Sequence, residues 1–400
     1  MLRINAARLT HRLCSLSRFD RDLSVAGRVI VSSKDGQSFE SKLVHINRPI
    51  LRIPTLAIHL NREVNDKGFL FNKQTHLLPV IATAVAQQLG SKGDKAAPSK
   101  DGESAPASPP FSDLHHPVLV QLLAAELGVP AADIRDFELC LCDTQPAALG
   151  GVYNEFIFSR ALDNLMMSFV TTQALVATSQ SASSIAKEEL IRIVGLFDHE
   201  ECGSASIMGA ASNNMYQLLN KLNGDVASYD SAIAKSYLVS ADMAHALHPN
   251  YAELHEENHR PAMHKGSEEQ RHKNSWDQQR CTALTVRVCC EFLMFLSSLR
   301  LFRACVFSLV IKSNANQRYA TSGLSGFLLE ELARSHNVPV QKFVVRNDAM
   351  CGSTIGPILA TSCGIRTVDV GVPQLSMHSI REMCGVGQEH SNDKTCRRGE

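Results

Sequence analysis

The strongest constraint on the fold lies between residues 160 and 375, where predicted helices alternate with short apolar strands. The stretch LDNLMMSFVTTQALVATS is typical of a helix, and LIRIVGLF, SYLVSADMA, QKFVVRND and RTVDVGVP have the apolar composition of buried strands. Helices that separate apolar strands indicate an α/β domain with a mainly parallel sheet. Catalytic residues in such sheets gather at the carboxyl ends of the strands. Several of these strands end in Asp, Glu or His, so we expect an acidic, imidazole-rich edge.

The chain before residue 150 has a different pattern. Residues 22–60 carry β-branched residues with turn residues between them, which predicts a β-rich region. We expect a short helix over 76–90, a flexible linker rich in Ser, Pro, Lys and Gly over 91–110, and a helix over 115–127. The segment DIRDFELCLCDTQPAALGG predicts a strand followed by a turn. The sequence therefore predicts a β-rich part over 19–150 and an α/β part over 151–383.

Composition excludes several classes of protein. The 400 residues are 44% hydrophobic and 20% charged, enough apolar material for a large core. Lys plus Arg equals Asp plus Glu, 40 of each, which argues against a nucleic-acid partner. The apolar part of 267–310 is interrupted by charged residues, so we expect no membrane span.

Cysteine usage and the first residues bear on the compartment. The 12 cysteines form no CxxC pair, and the simplest interpretation is buried thiols in a reducing compartment. We therefore expect a cytoplasmic protein. The first 19 residues contain arginines and no acidic residue, a weak resemblance to a mitochondrial transit peptide that keeps the mitochondrion as the alternative.

Two adjacent glutamates follow the predicted strand LIRIVGLF, in the sequence LFDHEECGS. Hydrolysis of a peptide bond by two metal ions needs Asp, Glu and His ligands, and a separate carboxylate that takes a proton from the attacking water. Glu200 and Glu201 can divide these two tasks. Further acidic and imidazole groups follow other predicted strands or begin a helix, namely Asp163, Asp242, His245, His248 and His378.

Each of these residues alone has an ordinary explanation. Asp163 could cap a helix, His378 could be a satisfied core or loop histidine, and the glutamate pair could lie in a solvated loop. Their common position beside predicted strand ends favours a metal site over these explanations.

Six segments resemble, in family order, the motif set of the M18 metallopeptidase family of aspartyl aminopeptidases. They read LDNL, DHEECGS, SADMAHALHPNY, HEENHRP, RNDAMCGSTIGPILA and GVPQLSMHSIREM. Two earlier segments, FDRDLSVAGRVIV and RPILRIPTLAIHL, resemble the non-catalytic domain of that family. The resemblance implies a zinc-peptidase-like, mainly parallel sheet flanked by helices, together with a β-rich dimerisation domain. It also implies release of N-terminal aspartate or glutamate from peptides, and dimers assembled into a dodecamer.

The resemblance assigns a role to each matching position. Asp163 would bridge two zinc ions, Glu200 would be the general base, and the remaining zinc ligands would be Glu201, Asp242 and His378. His245, Lys312 and Tyr319 would contact substrate, where an ammonium favours an acidic side chain and a phenol can hold the scissile carbonyl. His59 would reach the active site of a neighbouring subunit. Without the resemblance, Lys312 would be taken as a solvated surface lysine and His59 as a buried strand histidine.

The sequence also departs from the family pattern. The family places part of its catalytic domain before FDRDL, including a His-Thr-Asp motif whose histidine binds the second zinc, and this motif does not occur in the 400 residues. Residues 1–18, 267–310 and 384–400 do not follow the family pattern. We therefore expect much reduced activity. The alternatives are a catalytically impaired homologue that assembles with intact subunits, and a related metallopeptidase of different specificity.

Overall fold

A computed structural model describes residues 16–33, 35–83, 111, 115–179, 186, 190–264, 309–336 and 338–386. The chain divides into two compact units, Met1–Pro146 and Ala147–Glu400. The linker predicted over 91–110 and most of the 267–310 segment lie outside the described residues.

The first unit contains a three-stranded antiparallel sheet of order β2-β1-β3. Its strands are β1 (Leu23–Ser32), β2 (Phe39–His45) and β3 (Ile134–Asp143). Gly27 of β1 permits a close approach of β3, because a Cβ at this position would stand 2.0 Å from the carbonyl oxygen of Glu138. The β-rich character predicted for this region and the strand predicted in DIRDFELCLCD are confirmed.

Among its described residues, this unit includes the short helix α1 (Val64–Lys67) and helix α2 (Pro117–Leu127). Helix α2 begins after His116, whose Nδ1 accepts a hydrogen bond from the backbone N–H of Val118, and it ends at the left-handed Gly128. The prediction of a helix over 115–127 is confirmed. The prediction over 76–90 is wrong for 76–83, where Val80 exchanges backbone hydrogen bonds with Arg52 next to Pro79. Residues 84–90 lie outside the described ranges.

The second unit contains a four-stranded sheet of order β6-β10-β8-β9. Its strands are β6 (Tyr237–Ala241), β8 (Leu309–Ser313), β9 (Val340–Val344) and β10 (Arg366–Gly371). Strand β10 pairs in parallel with β6, β8 pairs in parallel with β9, and β10 and β8 are antiparallel. Strand β8 includes residues 309 and 310, so the end of the 267–310 segment is part of the sheet.

The described part of the second unit also contains a five-stranded sheet that is mostly antiparallel. It has the order β4-β5-β12-β11-β7, and its single parallel pair among the described strands joins β11 and β7. Its strands are β4 (Ala148–Gly150), β5 (Phe156–Ser159), β7 (Ala244–His245), β11 (Pro373–Leu375) and β12 (Glu382–Gly385).

Within the described ranges, the helices of the second unit are α3 (Leu162–Thr178), α4 (Asn214–Asn223), α5 (Val226–Lys235), α6 (Gly323–Ser335) and α7 (Gly356–Cys363). Helices α3, α6 and α7 pack against the sheets, and α4 packs against α5 and α7. Met167 of α3, Leu329 of α6 and Val368 of β10 are fully buried in one cluster. Burying side chains of this size stabilises the fold by roughly 1.5–3 kcal/mol each. The predicted α/β class is confirmed.

The segment LIRIVGLF does not form the predicted strand. Residues 191–197 have no strand partner within the described ranges, and Ile191 and Leu196 are 64% and 62% exposed. The prediction is based on the apolar, β-branched composition of the segment, but a strand also requires a neighbouring strand with which to pair. Within the described ranges, no helix combines the length and apolar character needed to cross a membrane.

Candidate metal centre

Four structural elements of the second unit bring the predicted site residues together. Asp163 lies in the first turn of α3, and Glu200 and Glu201 lie in a 3-10 turn (Glu200–Cys202). Asp242 directly follows β6, and His378 follows β11. Asp163 does not cap the helix: α3 begins after Ala161, and no side chain accepts a hydrogen bond there. Its carboxylate therefore does not serve as the helix cap that was the ordinary explanation for this residue.

His378 joins two of these carboxylates. Its Nε2 lies 3.2 Å from Oδ2 of Asp163 and 3.1 Å from Oε1 of Glu201. Ligand atoms of these three residues lie within 4.8 Å of one another, and the group could hold a metal ion. One imidazole and two carboxylates are a donor set that zinc accepts.

The same contacts hold a proton where a cation would bind. Hydrogen bonds to Asp163 and then to Glu201 raise the pKa of His378 to about 10. The two carboxylates thus attract positive charge strongly, and a metal ion must displace this proton. The residues present fit zinc on this chemistry.

Asp242 is paired with Lys312. The ammonium nitrogen of Lys312 lies 3.0 Å from Oδ2 of Asp242 and also donates to the carbonyl oxygen of Met243. Lys312 is only 1% exposed, so it is not the solvated surface lysine that its residue type alone would suggest. Burial raises the pKa of Asp242 to about 6, although Lys312 opposes this rise. The two side chains form a buried ion pair at the edge of the candidate centre.

Glu200 lies among the other acidic groups. Burial raises its pKa to about 8, and the negative charges of Asp242 and Asp163 contribute to the rise. A carboxylate with a pKa near the working pH suits proton transfer, because it can both accept and return a proton. The electrostatics of Glu200 thus resemble those of a general base rather than those of a solvated loop residue.

A buried glutamate that sequence reasoning missed supports this group. Glu382 in β12 is 2% exposed, and its carboxylate accepts hydrogen bonds from the backbone N–H groups of Asp163 and His378. Burial raises its pKa to about 7 against these hydrogen bonds, which favour the ionised form. The motif SIREM contains Glu382, but its backbone partners cannot be identified from the sequence.

Of the residues expected to contact substrate, His245, Lys312 and Tyr319 lie in the second unit and His59 lies in the first. His245 packs 5.7 Å, centroid to centroid, from Phe343, and burial lowers the pKa of His245 to about 4. Tyr319 is buried, its ring centroid lies 5.2 Å from the ammonium of Lys312, and burial raises the pKa of its phenol. His59 belongs to the first unit, where it is exposed in a turn (58–60) and is not a buried strand residue.

An open cleft adjoins His245. Its lining includes Phe343, Arg346 and Cys351, and Cys351 lies with its sulfur 3.5 Å from the Tyr319 hydroxyl. Space for a ligand therefore lies beside two of the residues expected to contact substrate.

Comparison with known proteins identifies the family. The model of the Peptidase_M18 family, described as aminopeptidase I zinc metalloprotease, matches residues 15–290 and 304–394. The chain belongs to the M18 zinc metalloproteases. The family predicted from the sequence motifs is confirmed, and with it the expectation that the chain belongs to a family of zinc-dependent enzymes. The M18 match includes residues 267–290 and 384–394, parts of the two segments in which the sequence pattern looked atypical.

Two relatives illustrate the similarity to other M18 proteins. The chain is 49% identical over 382 residues to a "probable aspartyl aminopeptidase" of Ricinus communis, with 92% of this chain and 69% of that protein covered. A cryo-EM structure of the Ape4 and Nbr1 complex contains a chain of 40% identity with a TM-score of 0.72, covering 92% of this chain and 61% of that one.

Another M18 structure bears on assembly. The chain is 25% identical to a subunit of the S. cerevisiae mApe1 dodecamer, with a TM-score of 0.65, and covers 68% of that subunit. In these comparisons the chain thus spans about two thirds of the length of its relatives.

Proposed function

We propose that this chain is a zinc aminopeptidase that releases N-terminal aspartate or glutamate from peptides. The observation that supports the proposal is the convergence of Asp163, Glu201 and His378, with the Glu200 carboxyl group in their field. Zinc, when bound, supplies Lewis acidity and lowers the pKa of the attacking water. Asp163, Glu201, Asp242 and His378 are the residues that would hold two zinc ions.

The side chains around the centre have separate tasks in this proposal. Glu200 accepts the proton of the attacking water and returns it to the leaving amine, a task that suits a carboxyl group set among the metal-donor residues. Lys312 supplies positive charge that favours an acidic side chain at the first substrate residue. Tyr319 can donate its hydroxyl hydrogen to the scissile carbonyl, and His245 lines the cleft that receives the peptide.

Peptides with different first residues test the proposal. The purified chain should release N-terminal Asp and Glu, and it should release Leu from a matched peptide much more slowly. A chelator should abolish hydrolysis, and added zinc should restore it. Equal rates on Asp and Leu peptides, or hydrolysis that survives metal removal, would contradict the assignment.

We also propose a homo-oligomer in which His59 contributes to a neighbouring subunit's active site. The dodecamer of the related mApe1 protein supports this assembly, and the exposure of His59 leaves it accessible. Light scattering should give a mass of several subunits, and His59→Ala should lower activity without changing that mass. A monomer at micromolar concentration would refute the assembly.

We propose that the protein is cytoplasmic, because its cysteine usage fits a reducing compartment. Recovery of the protein in the mitochondrial fraction of fractionated cells would overturn this proposal.

One observation favours the alternative of an impaired subunit. The carboxylates of the centre already face positive groups of the chain, with His378 between Asp163 and Glu201, and Lys312 on Asp242. Positive groups of the same chain compete with a metal ion for these carboxylates and therefore lower the affinity of the centre for metal. Metal analysis separates the two proposals: about two zinc ions per chain support the enzyme, whereas a metal-free chain that joins intact subunits supports the impaired form.

A further inference from the structure

Glu382 connects two of the metal-donor residues through their backbones. Its Oε2 accepts a hydrogen bond of 2.9 Å from the N–H of Asp163, and its Oε1 accepts one of 2.7 Å from the N–H of His378. Each carboxylate oxygen thus holds one residue of the candidate centre. Glu382 itself is held in β12, which pairs with β5 and β11 on either side.

Both backbone N–H groups occur where regular structure does not satisfy them. Asp163 has non-helical dihedrals (φ −82°, ψ 107°) inside the first turn of α3, and His378 has φ 65°, in the left-handed region. Outside regular structure, a part-buried N–H group needs an acceptor from a side chain, another backbone group or water. For both of these N–H groups the Glu382 carboxylate is that acceptor.

These contacts also determine a distance that matters to a metal ion. Asp163 and His378 are far apart in the sequence, yet Oδ2 of Asp163 lies 3.2 Å from Nε2 of His378. Because the Glu382 side chain is hydrogen-bonded to both backbones, it keeps the Asp163 turn and the His378 turn close together. A buried residue elsewhere in the sheet could stabilise the fold, but it would not control the distance between Asp163 and His378.

We propose that Glu382 is a positioning residue that preforms the metal-donor group by holding the Asp163 and His378 turns together. The inference rests on the proposed function of this group as a zinc site. In this proposal Glu382 contacts neither the substrate nor the side chains of the metal-donor residues. It acts through its hydrogen bonds to the backbone N–H groups of Asp163 and His378. Residues that orient metal ligands in this way typically change metal affinity by about 10–100-fold when they are replaced.

The test compares Glu382→Gln with a matched control. Glutamine keeps the size of the side chain but turns one acceptor into a donor that faces a backbone N–H. The control is Asp369→Asn: Asp369 is also fully buried and accepts hydrogen bonds from the N–H of Ala320 and the hydroxyl of Thr354. Zinc affinity is measured by competition with a chromophoric chelator, and stability by thermal unfolding.

We expect Glu382→Gln to weaken zinc binding by about 10–100-fold, whereas Asp369→Asn lowers the unfolding temperature with zinc affinity unchanged. The cobalt-substituted protein gives a second readout, because displaced donors change its visible absorption. Glu382→Asp, with a carboxylate that is one methylene shorter, should fall between wild type and Glu382→Gln. Wild-type zinc affinity in Glu382→Gln would overturn the inference, as would unfolding of both Glu382 variants at 25 °C.

Amide hydrogen exchange of the metal-free protein separates this inference from the proposed function. Glu382→Gln should lose protection at the amides of Asp163 and His378, and Asp369→Asn should keep it. If the wild-type chain binds no zinc, the proposed function fails, and selective loss of these two protections still supports the positioning role. If the wild-type chain binds zinc and both amides stay protected in Glu382→Gln, the positioning role fails alone.

Discussion

Replacement of Lys312 by methionine tests how much the buried ion pair beside the candidate metal centre contributes to stability. At 3.0 Å from Asp242 Oδ2, the Coulomb attraction is roughly 5 kcal/mol at an effective dielectric constant of about 20. Burying the two charges costs a comparable amount, so the intact pair gives little net stability. Removal of the lysine alone leaves a buried carboxylate without its partner, which costs about 3–5 kcal/mol.

The cost of Lys312→Met should depend on pH in a defined direction. The pKa of Asp242, about 6 in the folded chain, lies above its ordinary value of 3.8. Its burial therefore destabilises the folded chain progressively as pH rises from about 4 to 6, and removal of Lys312 raises this pKa further. At pH 8 the largest loss is expected, because the folded chain must then either bury an unpaired charge or hold a proton on Asp242 against the solution pH. At pH 5 a protonated Asp242 needs no cation, so the loss should be much smaller.

Urea unfolding with a chelator present, followed by circular dichroism at both pH values, measures these losses. The control is Lys342→Met, the same substitution in the neighbouring strand β9, where an exposed pair with Glu330 at 2.8 Å contributes at most about 1 kcal/mol. A loss below that of the control at pH 8, or equal losses of Lys312→Met at pH 5 and 8, would refute the reasoning.

Three further predictions concern the proton on His378, the proposed base and the first unit. Because His378 has a pKa of about 10 and must lose its proton to a metal ion, zinc affinity should rise about tenfold per pH unit between pH 7 and 9. Calorimetry in buffers of different ionisation enthalpy should detect the released proton, and a flat pH profile would contradict the role. Glu200→Gln should lower kcat by about 10²–10⁴ with zinc content unchanged, and a near-normal rate would exclude Glu200 as the base. Leu123→Ala, at a fully buried position of α2, should cost about 2–5 kcal/mol of unfolding free energy. The control is Leu43→Ala, at a position that is 78% exposed. Equal losses of unfolding free energy in the two variants would show that Leu123 of α2 does not contribute to the core of the first unit.

Elements with local signals could be predicted from the sequence. Helix α3 has the helical pattern in its own residues, and β3 and β6 have apolar runs of strand length. The segment 191–197 has an equally clear strand composition, yet strand formation depends on a partner elsewhere in the chain. Composition thus predicted the tendency but could not predict the pairing.

The candidate site shows the same division between residue type and arrangement. Asp163, Glu201 and His378 could be predicted as ligands because zinc chemistry restricts the residue types. Glu382 could not, because its contact with Asp163 spans 219 positions and involves a backbone N–H, which every residue type except proline provides. Residues that act on backbones therefore leave no compositional trace, whereas residues that meet a metal ion do.

The two cations of the centre should respond differently to a bound metal ion. The proton on His378 can leave, because an imidazole titrates and zinc competes for the same nitrogen atom. The ammonium of Lys312 stays beside Asp242, because it donates to the Asp242 carboxylate and to the carbonyl oxygen of Met243. A metal ion at Asp163, Glu201 and His378 thus replaces a proton at little electrostatic cost. A second ion at Asp242 would face a fixed positive charge, so the second zinc should bind more weakly than the first, and Lys312→Met should reduce that difference.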